Sequence, residues 1–187
     1  MLKRIKARLK NRSGFTLAEL LITLIILLLA ATIVTTGVPA AANALRKTVD
    51  ASNAQLLLST TMTRLRGELS AATVDKDKTG EQKITYTNAA GIPCVLYCGE
   101  YEDKTTHEKT EGILLKAETD SEKVEYLLVS KQAAGSLVVS FNDASYDETS
   151  GVVTISGLKV TKGGSTLAAV TNDAGGPGDY MIRVLGG

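Results

Sequence analysis

The run SGFTLAELLITLIILLLAATIVTT, residues 13–36, decides how the chain is built. From Phe15 to Ala44 there are thirty residues and a single formal charge, Glu19. Leu20 to Val34 is almost entirely Leu, Ile, Ala and Thr, residues that suit a helix in an apolar medium. About 20 apolar residues span a bilayer as a helix, so the segment is long enough. Upstream, Lys3, Arg4, Lys6, Arg8, Lys10 and Arg12 form a basic run with no acid among them. A basic flank before a spanning segment predicts that residues 1–12 stay on the cytoplasmic side and the remainder lies outside.

Three readings of the segment compete. A plain membrane anchor leaves Glu19 unexplained, because a carboxylate in the hydrocarbon region costs on the order of a few kcal/mol without a partner. A secretory signal peptide is supported by Ala42-Asn43-Ala44, a small-residue cleavage pattern. Its apolar region, however, outruns the roughly 7–15 residues such signals use. The third reading places a cut before the apolar region, between Gly14 and Phe15.

Ser13-Gly14-Phe15-Thr16-Leu17-Ala18-Glu19-Leu20-Leu21 resembles the processing site of type IV prepilins and of the pseudopilins of type II secretion systems. The parts that carry the resemblance are a short basic leader, Gly14 before the cut, Phe15 after it, and Glu19 as the fifth residue of the product. Two departures are that Ala18 replaces a larger aliphatic and that Gly37 and Pro39 fall further along than the usual helix proline. The resemblance implies that a membrane-embedded aspartic peptidase removes residues 1–14 and methylates the amine of Phe15. It also assigns Glu19 a role in assembly. Unlike unit charges about 4 Å apart attract by several kcal/mol at intermediate dielectric, before desolvation is set against them. The Glu19 carboxylate of one subunit would therefore set its register against the Phe15 amine of a neighbour.

Charge and composition narrow the rest. Without the six leader cations, 15 basic residues face 20 acidic ones, about −5 in all. Nothing strongly basic remains to suit a phosphate backbone, and no direct nucleic-acid binding is expected. One His, two Cys and no Trp leave little catalytic material.

Beyond the apolar run, Leu45, Val49, Ser52, Leu56, Ser59, Met62, Arg66 and Leu69 recur every three or four residues. Together with Leu65 and Ala72 they predict that the helix continues to about Ala72 with one apolar face. A helix from Thr16 to Ala72 would be about 85 Å long. Gly37 and Pro39 are expected to bend it, since proline removes a backbone hydrogen bond. Residues 73–82 read as a connector. The period then changes to 2, with strands expected at 83–88, 92–101, 112–117, 123–130, 136–141, 152–161, 166–171 and 180–185. Gly163-Gly164 marks a two-residue hairpin. The predicted class is α+β: a long N-terminal helix, spanning in its first half and amphipathic in its second, packed on an antiparallel β-sheet head. The expected organisation is a leader (1–14), an apolar helix (15–44), its amphipathic continuation (45–72) and a β-rich head (73–187).

Other candidate sites are weaker. Cys94 and Cys98 on one strand would lie roughly 13 Å apart, too far to bridge. A disulfide would need a turn at Val95-Leu96-Tyr97, and it is left open. Asp143, Ser145, Asp147 and Thr149 alternate as calcium-loop oxygens do, but the loop lacks the sixth-position Gly and twelfth-position acid. Asp173 and Asp179 flank Gly175-Gly176-Pro177-Gly178, near where some pseudopilins bind calcium. Polar turns are the preferred reading for both, and neither a metal nor a cofactor is expected. His107 lies in a hydrophilic loop with no partner for a triad. There is no phosphate-binding glycine loop.

The resemblance thus implies a structural subunit and not an enzyme. It would be a single-pass protein of the cytoplasmic membrane, N-terminus inside, later part of an extracellular filament. Partners would be the lipid bilayer, further copies and other pilin-like subunits, the prepilin peptidase, a membrane platform protein and a cytoplasmic assembly ATPase. A secreted or anchored β-rich binding module that never polymerises is the competing class.

Overall fold

The computed structural model describes residues 16–118 and 123–185. Helix α1 (Leu17–Leu69) runs unbroken for 53 residues. Its apolar part contains several threonines, whose hydroxyls would be costly in an apolar medium. Each is satisfied within the helix: Thr23 donates to the Leu20 carbonyl at 2.9 Å, Thr32 to Leu29 at 2.7 Å and Thr36 to Thr32 at 2.8 Å. Gly37 and Pro39 both lie inside α1. Pro39 has no N–H to give the Thr35 carbonyl one turn back.

The chain divides into two compact units, residues 1–48 and 49–187. In the first, every described residue is exposed. Its helix is long and apolar enough to cross a membrane, with none of that stretch buried.

The second unit is α+β, as expected. Strands β1 (Thr73–Val74), β2 (Lys83–Thr87), β3 (Pro93–Glu102), β4 (Lys109–Glu118) and β5 (Lys123–Leu127) form a five-stranded sheet in chain order. A short helix α2 (Lys131–Ala134) follows, then β6 (Val138–Ser140), β7 (Asp143–Asp147), β8 (Val152–Ser156), β9 (Lys159–Lys162), β10 (Ser165–Ala169) and β11 (Asp179–Arg183). These six make two three-stranded sheets, ordered β10-β9-β6 and β11-β8-β7. Every pairing is antiparallel. One hydrophobic cluster joins Leu57, Leu65 and Leu69 of α1 to Ile84, Leu96 and Leu115 of the large sheet and to Phe141, Val153, Ile155 and Val160 of the small ones.

Several expectations are corrected. The buried stripe of α1 is Ala54, Leu57, Leu58, Thr61, Leu65 and Leu69, while Leu56 and Val49 are exposed. Leu65, Leu69 and Ala72 of the expected face are buried, but before them the face is displaced by one residue, about 100° around the helix. Leu56-Leu57-Leu58 leaves the phase open, and burial of Ala54 and Thr61 on the side of Leu57 and Leu58 settles it. The helix also stops at Leu69, three residues early, and β1 opens the segment read as a connector. The run at 152–161 is two strands. At Gly157 (φ +69°) the chain leaves one small sheet for the other, and an added Cβ there would stand 2.5 Å from Asn142 Nδ2. The Gly163-Gly164 hairpin forms, with φ of 56° and 81°.

The calcium-like alternation at 143–147 is strand β7. Asp143, Ser145 and Asp147 are exposed, while Ala144 is buried and Tyr146 half-buried. The period of 2 that spaces the ligands of a loop also spaces the outward side chains of a strand.

Candidate functional site at the start of the N-terminal helix

Gly14 and Phe15, where the processing cut is expected, lie outside the described residues. The first described residue, Thr16, precedes α1 and caps it. Glu19 Oε2 accepts from the Thr16 N–H at 3.0 Å and from the Thr16 hydroxyl at 3.2 Å. In return the Glu19 N–H donates to Thr16 Oγ1 at 3.2 Å. This is a reciprocal capping box. It satisfies two of the N–H groups that a helix start leaves free and sets a negative charge against the positive end of the helix dipole. The Leu20 N–H then reaches the Thr16 carbonyl at 3.1 Å, the first bond of the helical ladder.

The arrangement has a chemical consequence. Both side-chain bonds fall on Oε2, leaving Oε1 without a partner among the described residues. Glu19 is exposed, so that oxygen can meet a cation. The Thr-x-x-Glu spacing that signals the box is present in the sequence at Thr16 and Glu19, and it gives Thr16 a role that charge patterning does not reveal.

The remaining candidates do not converge here. Cys94 and Cys98 stand four residues apart on the continuous strand β3, and both are free. The disulfide left open by the sequence is not formed, since no turn brings the two together. Cys94 is buried, and Cys98 Sγ lies against the Phe141 backbone, 3.4 Å from its N and 3.7 Å from its O. Burial pushes both thiols up, away from the reactive thiolate.

Asp143 and Asp179 flank Ser156 from β7 and β11. Asp147 is engaged with the Ser150 hydroxyl and the Thr149 N–H, which together hold its carboxyl below the usual range. Asp173 sits in the turn organised by Asn172, whose Oδ1 accepts from Ala174 and Gly176. Among the described residues no three His, Cys, Asp or Glu side chains are grouped to hold a metal. His107 pairs with Glu102 at 3.1 Å on the surface.

Comparison with known proteins agrees with the geometry at the helix start. Residues 9–35 match the family model described as the prokaryotic N-terminal methylation motif. No curated protein and no solved structure matches the chain. The chain therefore carries, ahead of and within its apolar helix, a class III signal peptide of the type IV prepilin and pseudopilin kind.

Proposed function

We propose that the protein is the structural subunit of a type IV pilus-like or secretion pseudopilus filament. A prepilin peptidase cuts between Gly14 and Phe15 and methylates the Phe15 amine. The apolar helix holds the subunit in the cytoplasmic membrane, N-terminus inside, until a platform protein and its ATPase extract it. In the filament the same helix exchanges lipid for neighbouring helices, of this chain or of other pilin-like subunits.

The observation that carries the reading is Glu19: an exposed carboxylate in the otherwise uncharged apolar run 15–44, with Oε1 unpartnered among the described residues. An amine freed at Phe15 supplies the cation that this oxygen lacks. Pairing between subunits offsets two charges that would each be expensive in a dry core.

The deciding experiment replaces Glu19 in two ways. Glu19→Gln preserves a capping-box acceptor and removes the charge, whereas Glu19→Ala removes both. Both variants are expected to be cleaved, with intact mass reporting a methylated Phe15 terminus, and to stay in the membrane. Both are expected to be absent from sheared filaments. If Glu19→Gln enters filaments as the parent does, charge pairing is not the assembly device. If both are silent, the chain is the non-polymerising β-rich module.

A further inference from the structure

A cleft of about 590 Å³ opens at one end of the five-stranded sheet, between the β3–β4 hairpin turn and the segment running from β5 into α2. This is within the size range of small-ligand sites, and both walls are connecting segments carried on a rigid sheet. The cleft's charged groups are spent on holding those walls. Asp103 Oδ1 accepts from the Thr105 N–H at 2.7 Å and the Thr106 N–H at 3.1 Å, closing the hairpin turn. Those two bonds, with lesser help from Lys131, hold the Asp103 carboxyl below its usual range. Lys131 at the start of α2 is ion-paired with Glu108, so the bridge crosses from one wall to the other. The turn is completed by His107 at φ 55°, whose N–H donates to the Asp103 carbonyl at 2.8 Å.

The groups left free are of another kind. Thr110, Ser130 and Gln132 line the cleft, and their side chains make no hydrogen bond among the described residues. Tyr101 lines it too, with its hydroxyl likewise unengaged, whereas Tyr126 contributes to the lining from the other face of the sheet and its phenol is turned to the electrostatic influence of Glu68 and Arg64 of α1. One amphipathic ring, two aliphatic hydroxyls and a carboxamide make a neutral donor–acceptor set beside an apolar surface. Such a set does not match a phosphate, which needs free cations, nor a metal ion, which needs free carboxylates. It matches a ligand that is uncharged, rich in hydroxyls and apolar on one face.

We propose that this cleft is a binding site for a neutral pyranose saccharide, with the Tyr101 ring against the apolar face of the sugar and Gln132, Ser130 and Thr110 bonding its hydroxyls. The site belongs to residues 49–187 and operates whether or not the subunit polymerises.

The test uses the full chain in a non-glycosidic detergent, titrated with a panel of neutral hexoses and N-acetylhexosamines and followed by amide chemical shifts. The expected result is saturable binding of at least one sugar, with shifts confined to the β3–β4 turn and the Ser130–Gly135 segment. Tyr101→Ala and Gln132→Ala should each weaken it by about tenfold, the size of one lost hydrogen bond or ring contact. Gln132 lies on the surface segment, so its variant keeps the fold if loss of Tyr101 does not. No saturable binding across the panel overturns the proposal. So does binding that Gln132→Ala leaves unchanged, or a cleft that responds to inorganic phosphate or calcium and to no sugar.

Discussion

Glu19 answers one demand for negative charge at the start of α1 and, under the proposed processing, a second. Its own helix requires an acceptor for free N–H groups, which Oε2 meets through Thr16. A cleaved amine nearby would require a counter-ion, for which Oε1 remains. Loss of the box alone costs about 1 kcal/mol of helix stability, whereas loss of an ion pair in a dry filament core costs several. The conservative Gln variant separates the two. A different constraint operates in the large sheet, where Gly99 and Gly112 stand directly opposite each other on β3 and β4. An added Cβ on Gly99 would stand 2.9 Å from Tyr97 Cε2 and 3.4 Å from Leu114 Cδ1, so the Tyr97 ring occupies the space of the missing side chain. That ring is fixed at its far end by a hydrogen bond to Glu125, and burial together with that carboxylate pushes the phenol up to about 12. Gly99→Ala must displace the ring. We expect a loss of about 1–3 kcal/mol in urea unfolding with an unchanged m-value. An unchanged midpoint would mean that the ring moves freely. At this scale an isolated charge in an apolar run is conspicuous in the sequence, but a glycine pair is not, because its partner is twelve or more residues away.

Among the elements, strands were legible wherever alternation coincided with β-branched or aromatic residues, as in β2 and β8. Strand β7 was not, because Asp143-Ala-Ser-Tyr-Asp147 is poor in strand formers and its alternation serves a calcium loop equally well. Pairing with β8 from Asp143↔Ser156 to Asp147↔Val152 makes it a strand. The helix face was misplaced ahead of Leu65 for a related reason: three consecutive leucines fit two phases, and packing selects one. That packing is reinforced by polar contacts reaching α1 from distant strands. The Tyr180 hydroxyl of β11 donates to the Met62 carbonyl at 2.9 Å, Arg66 lies 5.9 Å from the centre of the Tyr180 ring, and Lys162 of β9 grips both oxygens of Asp50 at 2.7 and 2.8 Å. The ion pair is partly exposed and contributes at most about 1 kcal/mol. Tyr180→Phe, which keeps the ring and removes one hydroxyl, should cost about 0.5–1.5 kcal/mol and speed amide exchange in the last turns of α1. Exchange that accelerates equally in every strand would place the effect in global stability and not in this attachment.

Taken as a whole molecule, the chain sets an uncovered apolar helix before a unit with its own core. Among the described residues, every buried one lies between Ala54 and Val184. Residues 49–187 therefore hold the hydrophobic cluster entire, while residues 16–48 bury nothing described. A fragment beginning at Val49 should be soluble and monomeric and unfold in one cooperative transition, as seen by size exclusion and thermal melting. The full chain should need detergent. Aggregation of the fragment would show that the exposed Leu56 and Val49 need cover as well.

The methylation motif and the long apolar helix could be read from composition and order alone. Both depend on local properties, on which residues are apolar, where the charges stand and at what spacing. The α+β class followed too, because a change of period from 3.6 to 2 is itself local. The helix phase, the break at Gly157, the strand at 143–147 and the cleft beside Tyr101 were settled only in three dimensions. Each rests on contacts between residues far apart in the chain, and the free energy of such contacts is spread over pairings that no window of sequence contains.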